Sequence, residues 1–180
     1  MLFRRFEGQN GEIGVRDWTI LISNAWSAHF LPDANLRDTG LVCREAGGHA
    51  NTGSWLPRRS LSMHALVFVE DGCGVYIDDA NASGIRVNAP AVISLFPATA
   101  HEYGPVDPGW RVRWILFEGI ATRAYEASAL WTRAEPVQPA TDQLASRLDE
   151  PFRRLRELAA SPSRRSQALA STLTHQLLRI

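Results

Sequence analysis

The sequence predicts a mainly β protein, a sandwich or barrel of short strands followed by two α-helices. The first observation is a series of about seven or eight short apolar runs between residues 18 and 117, separated by turn-forming residues. The second is that apolar residues recur at helical spacing beyond Gly119. The third is the length of 180 residues, which suits one domain with a sizeable core.

The predicted strands are short apolar runs, at residues 18–23, 41–45, 65–69, 75–77, 85–87, 91–96 and 112–117. Turn-forming residues between them predict turns or loops at residues 33–40, 46–54, 70–74, 78–84 and 104–109. Alternation along the strand at 65–69 places His64, Leu66 and Phe68 on one face and Ala65, Val67 and Val69 on the other. Both faces are apolar, which is typical of a barrel wall with helices packed outside it.

Two amphipathic helices are predicted near the C-terminus. Apolar residues recur at helical spacing over residues 142–158, where Pro151 predicts a kink or a restart with Asp149 as N-cap. Residues 161–163 break this pattern, and residues 166–180 form the second helix. One stripe of the second helix is apolar and consists of Leu169, Leu173, Leu177 and Ile180.

Composition and charge limit the classes of protein to which this chain can belong. Basic and acidic residues number 19 each, and this zero net charge argues against a nucleic-acid-binding surface as the main feature. Cys43 and Cys73 form no CxxC motif, which is typical of reduced cytosolic thiols. The N-terminus lacks signal-peptide features, and no apolar run approaches the roughly 20 residues needed to span a bilayer. We therefore expect a cytoplasmic protein without a membrane partner.

The stretch from residue 91 to 119 combines two apolar runs with polar and aromatic residues near the loop between them. Pro97 ends the first run, and turn-forming residues fill positions 104–109. The side chains near this loop are His101, Glu102, Tyr103, Trp110 and Trp114. Two strands with such residues near their connection suggest one wall of a small ligand-binding barrel.

This stretch resembles the sensing domain of AraC-family transcription regulators. In that family a strand runs into a proline, a short turn and His-x-Tyr-Gly, and an aromatic strand then ends in Phe-x-Gly. The corresponding residues here are Phe96, Pro97, His101, Tyr103, Gly104, Trp114, Phe117 and Gly119. The resemblance extends upstream to Arg58, Arg59, Gly72 and Gly74, and downstream to the two helices. It implies a cupin-like (jelly-roll) β-barrel followed by two C-terminal α-helices.

The resemblance also implies a division of the chain. Residues 1–53 would form an N-terminal arm and the first strands, 54–119 the core of the effector-binding barrel, and 120–180 a linker and helical dimerisation segment. Residues 3–6 could form a family-type arm that closes over the ligand, with a disordered terminus as the alternative. AraC-family proteins usually continue into a DNA-binding domain with two helix-turn-helix motifs. We expect this chain to act with such a domain, which these 180 residues lack.

The ligand-binding residues that the resemblance implies are Arg58, Arg59, His64, His101, Tyr103, Val112 and Trp114. An indole stacks on a sugar or another flat ligand, and a guanidinium suits vicinal hydroxyls or a carboxylate. The choice between Arg58 and Arg59 as the inward residue stays open. The structural alternatives are a core role for Trp114, a surface position for Tyr103, a turn role for His101 and solvated charges for the arginines.

The predicted function is effector sensing and dimerisation for an AraC-like regulator, with a sugar or small organic acid as effector. The homodimer would form through Leu169, Leu173, Leu177 and Ile180. No catalytic residue, cofactor or metal is predicted. One alternative is a cupin-type metal-dependent enzyme for a small polar substrate, with metal ligands drawn from His64, Glu70 and His101. Another is a barrel filled by its own side chains, with dimerisation as its only function.

Overall fold

A computed structural model of the chain describes residues 23–32, 34–38, 40–51, 53, 55–129 and 131–180. Residues 3–6, predicted as an arm, and nearly all of the strand predicted at 18–23 lie outside these residues. The strands are β1 (Ser23–His29), β2 (Val42–Asn51), β3 (Leu56–Arg59), β4 (His64–Asp78), β5 (Ile85–Asn88), β6 (Ala91–Leu95), β7 (His101–Glu118) and β8 (Val137–Pro139). The helices are α1 (Ala34–Arg37), α2 (Thr122–Ala127), α3 (Leu144–Ala160) and α4 (Arg164–Leu177).

The two longest strands, β4 and β7, pair antiparallel in two places. Residues 64–69 pair with 112–117, and residues 74–78 pair with 101–105. Beside the first pairing the sheet runs in the order β1-β2-β7-β4-β6-β8. Beside the second, β3 joins β7 and β5 joins β4. Side chains from both parts meet in one apolar cluster, so the two parts are opposite walls of a barrel.

Both long strands continue through segments that the sequence predicts as turns, at residues 70–74 and 104–109. In β4 the register shifts between Val69 and Asp71 and again between Gly72 and Gly74, because bulges bend the strand without ending it. Gly72 has a φ of 83°, and a Cβ there would lie 2.7 Å from the Cα of Trp110. Only glycine fits this bend against β7. β2 likewise continues into the predicted loop at 46–54, as far as Asn51.

Apolar side chains cover both faces of the β4 wall, as the alternation predicts. Ala65, Val67 and Val69 belong to the cluster inside the barrel. Leu66 and Phe68 belong to a second cluster, which also contains Ile115 and Phe117 of β7 and residues of α3 and α4. The expectation that helices pack outside this barrel wall is confirmed.

The two long helices pack on the outside of the barrel. α3 contacts β1, β2 and β4, and α4 contacts β2 and α3. α3 passes through the buried Pro151 without ending, so the predicted restart with Asp149 as N-cap is wrong. Burial of the α3 apolar face against the barrel outweighs the hydrogen bond that proline cannot donate. Ser163 and Ser166 form a capping box at the start of α4, directly after the predicted break.

The described part of the chain is therefore a mainly β barrel with two long C-terminal helices, as predicted. None of its helices is long and apolar enough to cross a membrane.

Candidate functional site

A cavity of about 590 Å³ lies between the two walls of the barrel. Small-molecule sites in proteins typically occupy about 300–1,000 Å³. The lining consists of Glu45, His49, Trp55, Leu56, Arg59, Leu61, Ala65, Val67, Leu95, Tyr103, Trp110, Val112, Trp114 and Leu116. The barrel interior is thus not filled by its own side chains, and it has room for a ligand.

Four of the seven predicted ligand-binding residues line this cavity: Arg59, Tyr103, Val112 and Trp114. The structure distinguishes the two neighbouring arginines. Arg59 belongs to the cavity lining, whereas Arg58 pairs with the exposed carboxylate of Asp79 and is absent from the lining. Arg59 is therefore the arginine of this pair that lines the cavity, a choice that the sequence left open.

His64 does not line this cavity, contrary to the prediction. It leaves β4 on the opposite face from Ala65, as the alternation itself implies, and its ring stacks on Phe117 with centroids 5.7 Å apart. Its Nε2 lies 2.8 Å from Oε1 of Glu126 in α2. Burial lowers the pKa of His64, and the hydrogen bond with Glu126 works against that shift. His64 thus joins the barrel wall to α2.

His101 and Arg58 are the other two predicted residues that do not line the cavity. Nδ1 of His101 donates to the carbonyl oxygen of Thr99 over 2.9 Å, which corresponds to the structural role considered as the alternative. The ring is stacked between those of Tyr76 and Tyr103, at centroid distances of 6.5 and 6.0 Å. Burial lowers the pKa of His101, so the imidazole is neutral at pH 7.

Trp114 lies on the cavity side of β7, directly opposite Gly47 of β2. A Cβ at Gly47 would lie 2.6 Å from Cε2 of the indole, so the glycine leaves the space that the indole occupies. The ring of His49, two residues further along β2, lies 5.3 Å from the Trp114 ring. Burial lowers the pKa of His49, so this side of the cavity carries no histidine charge at pH 7.

The other two tryptophans of the lining also lie against glycines. A Cβ at Gly74 would be 2.7 Å from Cε3 of Trp110, and a Cβ at Gly104 would be 2.7 Å from Cγ of Trp55. Trp110 is buried, and its indole N–H has no hydrogen-bond partner in the described residues. The cavity therefore has three positioned indoles, and the N–H of Trp110 is buried and does not face the cavity space.

Arg59 and Tyr103 form the polar part of the lining on the β3 side. Burial raises the pKa of Tyr103 to about 12, and both the charge of the nearby Arg59 and its hydrogen bond to the phenol limit that rise. The phenol therefore keeps its proton and can donate it to a ligand. Arg59 forms no ion pair within the described part of the chain, whereas Arg58 does.

Four polar or aromatic lining residues were not predicted: Glu45, His49, Trp55 and Trp110. Glu45, Gly47 and His49 are alternate residues of β2, so all three lie on the face of the strand that is directed to the cavity. The alternation would have indicated them if the predicted strand at 41–45 had been extended through the glycines. Trp110 lies just before the predicted strand at 112–117, and Trp55 lies directly after the predicted loop at 46–54. The orientation of both depends on glycines distant in sequence.

The residues of the alternative metal site are not brought together. Among the described residues no group of three or more His, Cys, Asp or Glu could hold a metal ion. His64 pairs with Phe117 near one end of the β4–β7 ladder, and His101 pairs with Asp78 at the other. Glu70 lies near Arg113, with its Oε1 3.0 Å from the arginine Nε.

A family model described as the AraC-like ligand binding domain matches residues 42–178. The chain belongs to this family. The match extends from the beginning of β2 to just beyond α4, and it includes the whole cavity lining. The family prediction is confirmed, and with it the cupin-like type of barrel that this family implies. No curated protein matches the chain.

Solved structures that match parts of this chain have low sequence identity to it. The cupin 2 conserved barrel domain protein from Leptotrichia buccalis is 19% identical, with a TM-score of 0.38 over 63% of this chain and 44% of its own. YhaK from Escherichia coli is 14% identical, with a TM-score of 0.45 over 53% and 44%. A cupin-like protein from Thermotoga maritima is 15% identical, with a TM-score of 0.38 over 54% and 70%.

Proposed function

We propose that this domain senses a small organic molecule bound in the barrel cavity. The observation that carries the proposal is the convergence of Arg59, Tyr103, Val112 and Trp114 on one cavity of about 590 Å³. These side chains come from two strands, β3 and β7. They combine the solvent-exposed cation of Arg59 with the buried phenol of Tyr103 and the indole of Trp114 beside apolar residues. Membership of a ligand-binding family supports the same interpretation.

A thermal-shift screen of sugars and small organic acids tests this function. A ligand that binds only the folded state stabilises it by about 2.7 kcal/mol at 100 times its Kd. We expect Trp114→Ala to remove the ligand-dependent rise in Tm while leaving the fold intact. Trp26→Ala is the matched control, because Trp26 packs on Phe152 outside the barrel, with ring centroids 6.2 Å apart. A full ligand response in Trp114→Ala would contradict the proposed site.

We also propose that two copies of the domain associate through α4. Leu169 is 40% exposed, and Leu173 and Ile180 are half-buried beside it on the same stripe. Leu177, which the sequence places on this stripe, is only 1% exposed and belongs to the domain's own core. It turns toward the barrel with Ala170 and Thr174, so the available stripe is narrower than predicted.

In this proposal α4 also transmits ligand binding in the cavity to the regulatory activity of the protein, which is its output. α4 packs on β2, the strand that contributes Glu45 and His49 to the cavity. A ligand that shifts β2 would therefore shift the helix that contacts the partner copy. The output would be a DNA-binding domain of the AraC type. Sedimentation of the domain with and without ligand tests this coupling, and identical dimer affinities would contradict it.

A further inference from the structure

Most of the cavity lining offers a ligand no hydrogen bond. Seven of its fourteen residues are aliphatic, and the indole N–H of an eighth, Trp110, is buried. The backbone groups behind the aliphatic residues of β4, β6 and β7 already pair in the sheet. A hydroxyl of a sugar directed at this part of the lining would lose its water without finding a partner, which costs free energy. A hydrocarbon body gains free energy by being buried there.

The polar side chains on the β3 side favour an acceptor on the ligand. Arg59 is exposed at the solvent side of the cavity, and its guanidinium donors have no carboxylate partner among the described residues. Tyr103 presents a phenol O–H whose proton is retained because burial raises its pKa. The indole N–H of Trp110 is buried and adds no donor that a ligand in the cavity can reach. A carboxylate accepts hydrogen bonds from a guanidinium and a phenol and donates none.

The one acidic side chain in the lining lies away from Arg59. Glu45 pairs with Leu116 near the end of β7, whereas Arg59 pairs with His101 at its beginning. Nδ1 of His29 lies 3.8 Å from the Glu45 carboxylate, so Glu45 has a neighbour of its own. A negatively charged group on the ligand is therefore attracted to the Arg59 side and repelled from the Glu45 side.

We propose that the effector is a monocarboxylic acid with an aromatic or branched apolar body, and not a sugar. Its carboxylate lies between Arg59 and Tyr103, and its body lies against Trp114 and the aliphatic wall. This inference rests on the proposed function, because it assumes that the barrel cavity is the effector site.

Calorimetric titration with three probes that share one body tests the ligand class. The probes are 4-phenylbutyrate, its neutral amide and 4-phenylbutylamine, with D-glucose as the sugar. We expect the wild-type protein to bind the carboxylate at least about tenfold more tightly than the amide, because only the carboxylate forms charge-assisted bonds. Arg59→Gln should abolish this preference. Arg58→Gln, the adjacent arginine that pairs with Asp79, should retain it.

Equal or tighter binding of the amide or the amine would overturn the inference, as would a carboxylate preference that survives Arg59→Gln. Absence of 4-phenylbutyrate binding at millimolar concentration would also overturn it. Trp114→Ala separates these failures from failure of the proposed function. Glucose binding that depends on Trp114 would reject the acid and retain the cavity as the site. Binding of 4-phenylbutyrate that is unchanged in Trp114→Ala would reject both.

Discussion

The indole of Trp114 lies in the space that a side chain at Gly47 would need. The two residues are directly opposite each other on β7 and β2, and a Cβ at Gly47 would lie 2.6 Å from Cε2 of the indole. A methyl group at position 47 therefore cannot coexist with the observed ring position. Gly47 positions the cavity tryptophan although its own side chain is only a hydrogen.

Gly47→Ala should move Trp114 and remove ligand-dependent stabilisation. We expect the free energy of unfolding to fall by about 1–3 kcal/mol, the usual cost of overpacking a core. The measurements are urea unfolding without ligand and the thermal shift with a ligand identified in the screen. A variant that keeps the full ligand response would show that the position of this indole does not matter.

Two further variants control for the effect of the alanine itself. Gly53→Ala adds the same methyl group where nothing lies within 4 Å of the new Cβ, so it should change neither stability nor ligand response. Adding Trp114→Leu to Gly47→Ala should recover part of the lost stability, because the smaller side chain leaves room for the methyl group. It should not recover ligand binding.

The Gly47–Trp114 contact also shows where sequence reasoning was sufficient and where it was not. The family resemblance implies inward positions for Val112 and Trp114, and both side chains line the cavity. His49 was missed because the glycines at 47 and 48 indicate a loop when only local sequence is considered. Gly47 leaves space for Trp114, which comes 67 positions later in the sequence (114 − 47). Only the pairing of β2 with β7 brings the two residues together.

The prediction of turns at residues 70–74 and 104–109, which lie within β4 and β7, was wrong for a related reason. Gly72 and Gly74 indicate a turn locally, but bulges use the same residue types. The long pairing of β4 with β7 decides in favour of a continuous strand. The short elements α2 and β8 carry too few residues to give a periodic signal, so the segment between Gly119 and α3 was predicted only as a connection.

Arg113 should be the most important ion-pairing residue between the barrel and α3. Its Nε lies 3.0 Å from Oε1 of Glu70, whose side chain is 1% exposed, and another of its nitrogens lies 2.6 Å from the Asp149 carboxylate. Arg113→Ala would leave Glu70 buried with only the more distant Arg111 nearby. We expect a loss of about 2–3 kcal/mol, below the 3–5 kcal/mol of fully buried pairs because Arg113 is 21% exposed.

Arg111→Ala is the matched control for this prediction. Arg111 is 53% exposed and lies 4.0 Å from Glu70, so its removal should cost less than about 1 kcal/mol. Burial raises the pKa of Glu70, and removing Arg113 would raise it further. A protonated Glu70 needs no cation, so the destabilisation of Arg113→Ala should be smaller at pH 5 than at pH 7. Equal losses in the two alanine variants would contradict this assignment.

The stability of the domain should fall as the pH is lowered from 8 to 6. Burial lowers the pKa values of His49, His64 and His101 below the ordinary value of about 6.5. Above that value the histidines are neutral in both the folded and the unfolded state. Below it the unfolded chain binds protons more readily, so unfolding becomes more favourable until the folded pKa values are reached.

Urea unfolding at pH 8, 7 and 6 measures this dependence. His101→Gln should show a smaller decrease between pH 8 and 6 than the wild type, although it is less stable at each pH. His29→Gln controls for the change of side chain itself, because the side chain of His29 is 67% exposed, and it should change the free energy of unfolding at pH 8 by no more than about 0.5 kcal/mol. A free energy of unfolding that rises toward pH 6 would contradict the expected direction.

Leu169→Glu should convert the proposed dimer into a stable monomer. Leu169 is 40% exposed, so a charge there meets water in the monomer and changes its stability by no more than about 0.5 kcal/mol. In a dimer formed through α4 the same charge would be buried against the partner copy.

Leu177→Ala is the contrasting variant, because Leu177 is 1% exposed in the domain's own core. It should cost about 2–5 kcal/mol and leave the association of the folded protein unchanged. Sedimentation at tens of micromolar distinguishes these outcomes. A wild-type monomer, or a Leu169→Glu variant that remains dimeric, would show that this stripe is not the interface.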